Sequence, residues 1–311
     1  MKIKKGKRLP PFCGDGRNRT ADTRIFSPLL YRLSYITNLI CEGKSTNLIE
    51  TSNKFPVFFN LLMYLCGMSN KKVDVIIVDA GNTRVKVAVF FNDQIIEINY
   101  FQIFDKQKFV DLVFSYGKPP VFVSSVLSDD DLNQFIGAEI KFTLLSKNFN
   151  FPVEIKYETP ESLGLDRLAN ASAIQSMQKT GNKVSIDLGT CMKFDFVNEK
   201  GEYLGGSISP GLRMRYEALN YYTGKLPLLE TSPNIQLIGT NSKDSMHSGV
   251  INGMQGEINH FINSYSQHYQ GLTFFVTGGD AKYFEFDLKN NIFAHENLTL
   301  FGLYYIYKQN V

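Results

Sequence analysis

At 311 residues, with 43% apolar and 20% charged side chains, the chain can bury a substantial core, which excludes the disordered, collagen-like and coiled-coil classes. No apolar run reaches the roughly 18 residues that span a bilayer, so neither an integral helical membrane protein nor a membrane partner is expected. Cys13, Cys41, Cys66 and Cys191 form no CxxC pair, which leaves no zinc ribbon and no disulfide framework.

The net charge of +3 conceals a break. Residues 1–67 carry 11 Lys and Arg against 4 Asp and Glu, while residues 68–311 carry 22 against 26. A basic tail for nucleic acid and a targeting peptide are both conceivable readings of the first segment. The segment shows no sustained period, however, and Pro56 interrupts its one apolar stretch. "GDGRNRTADTRIFSPLLYRLSY" is similar to translated tRNA-gene regions lying upstream of misplaced start codons. Residues 1–67 are therefore expected to be a non-native or disordered extension, with a start at Met68 and no nucleic-acid partner.

From Val73, "VDVIIVDAGNTRVKVAVFFNDQIIEINYF" reads as strand, Asp-x-Gly turn, strand, polar turn at Asn92-Asp93, strand. "FDKQKFVDLVFSYG" spaces Phe109, Leu112, Val113 and Tyr116 as a helix closed by Gly117. "PVFVSSV" follows as a buried strand and "DDLNQFIG" as a short helix. From Lys183, "KVSIDLGTCMKFDFVNEKGEYLGGSI" repeats the meander, with Asp187 standing 108 residues after Asp79. A long helix from Asp244, a strand ending in the glycine turn "TGGD" and a final apolar helix "LTLFGLYYIYK" complete the chain. One pattern used twice predicts an α/β architecture with a cleft between the halves, divided into residues 68–176 and 177–311.

A strand that ends in Asp-x-Gly and turns straight back presents backbone N–H groups with no Cβ in the way, suited to phosphate oxygens. The adjacent Asp can hold Mg²⁺, and Asn82, Thr83 and Thr190 offer further donors. Two such turns across a cleft would grip a polyphosphate, and the TGGD turn could underlie an adenine ring. No Walker GxxxxGK[ST], GxGxxG or HExxH pattern competes with that reading. The four histidines lack metal-ligand spacing, and Cys191 reads as a packed small hydrophobe.

In order, "VDAGNTRVK", "YETPESLGLDRLANASA", "SIDLGTCMKFDFV", "YLGGSISPGL", "ALNYYTGKLP", "TNSKDSMHSGVINGM", "FVTGGD" and "LTLFGL" resemble the type III pantothenate kinases. That family lies within the acetate and sugar kinase/Hsp70/actin superfamily. The resemblance implies duplicated ribonuclease H-like, actin-like ATPase domains and phosphorylation of pantothenate with ATP, Mg²⁺ and a monovalent cation, K⁺ or NH₄⁺. It implies that Asp79, Ala80, Gly81, Asn82, Thr83, Arg84, Val85 and Lys86 wrap the ATP phosphates and that Thr190 contacts ATP. Tyr157, Gly164, Leu165, Asp166, Arg167 and Ser242 would contact pantothenate, Asp166 would accept the proton, and Asp187 would bind the monovalent cation. A homodimer is implied as well, and a cytoplasmic location is expected from the few unpaired cysteines and the lack of a credible signal once residues 1–67 are discounted.

Two positions depart from the family pattern. Ser242 stands where many relatives carry Thr, keeping the hydroxyl and losing a methyl. Cys191-Met192-Lys193 replaces the usual Ala and Thr, placing a lysine charge beside the cation position. A non-catalytic accessory relative would be expected to lack the carboxylates, yet Asp79, Asp166 and Asp187 are all present. A superfamily kinase for another small alcohol is disfavoured by the "Y…GLDR" segment.

Overall fold

The β-branched run Val75–Ala80 forms β1 and turns back into β2 (Val85–Phe91), which continues into β3 (Gln94–Phe101). The structure is a computed structural model describing residues 73–81, 84–232, 235–287 and 291–311. The expectations for residues 1–67, for a start at Met68, and for Asn82 and Thr83 lie outside the described residues. The polar turn works because Asn92 and Asp93 adopt positive φ, 49° and 63°, a conformation short polar side chains tolerate. Helix α1 (Lys106–Ser115), strand β4 (Val121–Ser125), helix α2 (Asp129–Ile136) and a short β5 (Thr143–Leu144) complete the first sheet, ordered β3-β2-β1-β4-β5.

The second half repeats this. Strands β7 (Lys183–Leu188), β8 (Cys191–Val197) and β9 (Glu202–Pro210) form the meander, and α4 (Leu212–Tyr221) and α5 (Ser242–His268) follow. β10 (Thr273–Thr277) and β11 (Ile292–Ala294) then add in parallel to β7. The sheet order β11-β10-β7-β8-β9 mirrors the first, with β6 (Glu154–Ile155) joined at the β9 edge. Three antiparallel strands extended by two parallel ones, built twice, is the duplicated ribonuclease H-like arrangement.

Burial on both faces of the central strands explains their continuous apolar runs. Ile76 and Val78 pack toward Phe109, Val113 and Phe135 of α1 and α2, whereas Val75 and Ile77 pack toward Leu300, Leu303 and Tyr304 of the last helix, α6 (Leu298–Gln309). Helix α3 (Leu165–Met177) packs Leu168, Ala171 and Ile174 with Val197 and Tyr203 of the second sheet. Where α3 and α6 cross, a Cβ on Gly302 would lie 1.8 Å from the Ala169 carbonyl oxygen, so only glycine lets the backbones meet. That crossing fixes the start of α3 in place.

Candidate active site

Each meander sets an acid opposite a lysine: Asp79 pairs with Lys86 across β1–β2, and Asp187 with Lys193 across β7–β8. Just beyond the acids the chain reverses, with the Gly81 N–H donating to the Arg84 carbonyl and the Gly189 N–H to the Cys191 carbonyl, both at 3.2 Å. The TGGD turn is fastened to the second reversal by the Asp280 N–H, which donates to the Leu188 carbonyl at 3.0 Å. Gly278 has φ 97°, and a Cβ there would sit 2.3 Å from the Leu188 backbone. A Cβ on Gly279 would come 3.7 Å from an Arg84 guanidinium nitrogen, so the turns of the two halves face each other. Between them lies a cleft of about 550 Å³, lined by Arg84, Lys86 and Tyr100 on one side and Thr277, Gly278 and Gly279 on the other. The Arg84 guanidinium stands 4.9 Å from the Tyr100 ring centroid.

The start of α3 supplies the third component. Gly164 is its N-cap, and a Cβ there would lie 2.4 Å from Asp166 Oδ1. In the first helical turn the positive end of the helix favours the Asp166 carboxylate, whose Oδ1 also accepts from the Arg167 N–H at 2.9 Å. Its Oδ2 accepts from Lys193 Nζ at 2.6 Å, and the same ammonium lies 2.8 Å from Asp187 Oδ2. Lys193 and Asp195 share one face of β8, two residues apart. Arg167 Nε accordingly donates to Asp195 Oδ1 at 2.7 Å, and the Tyr203 hydroxyl donates to that same oxygen at 2.8 Å. Helix and strand are thus joined by two crossed pairs, acid on lysine and arginine on acid. The Tyr157 ring lies 5.8 Å from the Arg167 guanidinium carbon, over Gly205, where a Cβ would approach the ring to 3.1 Å.

Acids from distant segments stand close enough to influence one another's charge. Burial pushes the Asp79 carboxyl up to about 6 against the pull of Lys86, with Asp166 and Asp187 adding to the rise. Burial also works to raise Asp166, but the Lys193 ammonium, its hydrogen bond and the Arg167 N–H hold the carboxyl below the usual range. Burial would weaken the Lys193 ammonium, yet Asp187 and Asp166 keep it firmly protonated. Asp195 is pushed up by burial, opposed by Arg167.

The structure brings together Asp79, Gly81, Arg84, Lys86 and Asp187 around the facing turns, and Tyr157, Gly164, Asp166 and Arg167 around the start of α3. Ala80 and Val85 pair with each other and are buried, so they offer backbone only. Leu165 is half-buried, and Thr190 is exposed in the second reversal. Ser242 is exposed at the first turn of α5. Sequence reasoning missed Asp195, Tyr203 and Asn170, whose amide lies 3.5 Å from Asp187 Oδ2 and whose own oxygen accepts from Thr299 at 2.9 Å. The spacing Lys193-x-Asp195 against Asp166-Arg167 carries the signal for the crossed pairs.

A family model described as type III pantothenate kinase matches residues 75–264. The chain belongs to the type III pantothenate kinase family. Its relatives include the type III pantothenate kinase of Flavobacterium johnsoniae, 35% identical over 240 residues that cover 76% of this chain and 98% of that protein. The type III pantothenate kinase of Christiangramia forsetii is 37% identical, with the same coverage of both chains. Among solved structures, a Campylobacter jejuni protein described as a Baf family transcriptional activator is 18% identical, covering 75% of this chain and 97% of that one at a TM-score of 0.49. As a member of the type III pantothenate kinase family the chain is a kinase. Among the described residues, no helix is long and apolar enough to cross a membrane.

Proposed function

We propose that this chain transfers the γ-phosphoryl group of ATP to the primary hydroxyl of pantothenate, giving 4′-phosphopantothenate and ADP, the first step toward coenzyme A. The observation that carries the reading is the meeting of Asp166 and Asp187 on one lysine, beside a cleft lined by both sheets, in a chain of this family.

Phosphoryl transfer rests on positioning and charge neutralisation more than on covalent help. ATP lies in the cleft with its phosphates over the Gly81 and Gly189 reversals, near Asp79, Gly81 and Thr190, and Arg84 and Lys86 supply positive charge. Tyr157, Gly164, Leu165, Arg167 and Ser242 hold pantothenate. The hydroxyl oxygen forms the new P–O bond, the bond from the γ-phosphorus to the ADP oxygen breaks, and Asp166 accepts the hydroxyl proton. Held below the usual carboxylate range, Asp166 is ionised and ready at neutral pH.

Magnesium fits beside Asp79. Among the described residues this carboxylate makes no hydrogen bond, and burial without a full counter-charge is what raises it to about 6. Asp79 would hold the ion, which would supply positive charge to neutralise the phosphates while keeping few protein ligands, as Mg²⁺ commonly does. The monovalent cation expected at Asp187 does not fit the donors found there, because Lys193 already occupies Asp187 Oδ2.

A homodimer in the cytoplasm belongs to the same proposal. Exposed Leu204, Ile208, Tyr221, Tyr222, Leu237 and Ile238 supply apolar surface for a second copy. The reaction is tested by mixing the purified chain with ATP, Mg²⁺ and pantothenate and following ADP and product mass. Pantothenate-dependent ADP release with a matching phosphorylated product is expected. ADP release indifferent to pantothenate would defeat the assignment.

A further inference from the structure

We propose that the Lys193 ammonium is the resident monovalent cation of this site, so that phosphoryl transfer by this chain proceeds without added K⁺ or NH₄⁺. The inference rests on the kinase reading above and concerns how its charge is balanced.

The arrangement is fixed by the backbone. Asp187 and Lys193 are direct cross-strand partners in the β7–β8 ladder, so the lysine stem leaves the sheet beside the carboxylate. Its ammonium ends 2.8 Å from Asp187 Oδ2 and 2.6 Å from Asp166 Oδ2, and the Lys193 side chain is only 13% exposed. A buried ammonium must be paired and hydrogen-bonded to remain charged, and two carboxylates meet that requirement. The corresponding lysine of the first meander behaves differently: Lys86 lines the open cleft and makes no ion pair with Asp79 among the described residues.

A metal cation at Asp187 would need oxygens free of competing donors. Asp187 Oδ2 already faces both Lys193 and the Asn170 amide, the latter at 3.5 Å, so of this carboxylate only Oδ1 is left for a metal, close beside the ammonium. A second positive charge there would stand beside the lysine in a half-buried setting, where like charges repel strongly. Lysine carries a compact point charge with three donors, chemically an alkylated ammonium ion tethered to the strand. Two of those donors reach Asp187 and Asp166, so one group both neutralises the end of β7 and orients the carboxylate that takes the proton.

The full chain would be assayed with ATP, Mg²⁺ and pantothenate at constant ionic strength, with K⁺, NH₄⁺, Na⁺ or N-methylglucamine as the only monovalent cation. Rates agreeing within about threefold are expected; a larger stimulation by K⁺ or NH₄⁺ overturns the proposal while leaving the kinase assignment standing. Mg·ATP binding by calorimetry in the same four salts gives a readout independent of turnover, and a Kd that changes by more than about threefold with the cation also counts against it. Absence of pantothenate-dependent turnover in every salt would instead sink the kinase reading. Lys193→Ala removes the tethered charge: turnover should fall at least tenfold and be restored several-fold by NH₄⁺ but not by Na⁺. If Lys193→Ala is folded by circular dichroism and NH₄⁺ restores nothing, the lysine is not standing in for a cation. If it does not fold, the comparison of salts on the unmodified chain decides.

Discussion

Replacing Arg167 by Met tests whether the crossed pairs hold α3 to the second sheet. Arg167 and Asp195 side chains are 6% and 0% exposed, so solvent screening gives little relief when one partner is lost. Asp195 Oδ1 would keep only the Tyr203 hydroxyl, and among the described residues its Oδ2 has no hydrogen-bond partner. Removing one member of a buried pair costs about 3–5 kcal/mol, because the other charge stays buried and uncompensated. At urea slopes of about 1–3 kcal/mol per molar, the unfolding midpoint should fall by roughly 1 M or more with the slope unchanged. Arg167→Met combined with Asp195→Leu removes both charges and should recover at least half of the loss, less about 1 kcal/mol for the stranded Tyr203 hydroxyl. A single variant losing under about 1 kcal/mol, or a double variant as unstable as the two singles summed, would mean that the Arg167–Asp195 pair does not hold α3 to the second sheet.

Gly302→Ala would drive a Cβ into the Ala169 carbonyl oxygen and separate α3 from α6. A loss of about 1–3 kcal/mol is expected from thermal unfolding, whereas an unchanged melting temperature would show that the crossing is loose. The pH profile should report Asp79. In the proposed reaction its carboxyl, raised to about 6, ionises to meet Mg²⁺, so kcat/KM should fall as pH drops through about 6, and the limb should move lower as Mg²⁺ is increased. The stability effect has the opposite sense. Between the usual aspartate value of about 4 and about 6 the folded chain binds more protons than the unfolded one, so this group makes the ligand-free protein more stable as pH falls. A limb at about 4 and insensitive to Mg²⁺ would remove Asp79 from the ion's surroundings.

Both meanders could be read directly because β-branched runs, an Asp-x-Gly reversal and a polar turn are local signals, and the Asn92-Asp93 turn and the helix after it fall where the pattern puts them. The long helix from Ser242 and the strand before TGGD were equally legible from their periods. The contacts between halves were not. Nothing in "LTLFGLYYIYK" says that Leu303 and Tyr304 pack on β1 of the other sheet, since an apolar helix face carries no address. The two-residue strand β6 is too short to leave a pattern. Within the site, Asp166 and Arg167 were recognised through the motif around them. Their partners Lys193 and Asp195 lie 27 and 28 residues further on and meet them through strand register alone. A lone acid within an alternating strand reads as solvent-facing, and Asp195 is fully buried.

In the proposed reaction Asp166 takes the proton as the alcohol attacks. Asp166→Asn keeps the size and an oxygen for Lys193, so the fold and its melting temperature should hold. A positioned general base contributes roughly 10²–10⁴-fold. Single-turnover transfer from ATP to pantothenate should therefore slow at least a hundredfold in this variant. Retention of more than about a tenth of the rate, under about 1.4 kcal/mol of barrier, would contradict the assignment.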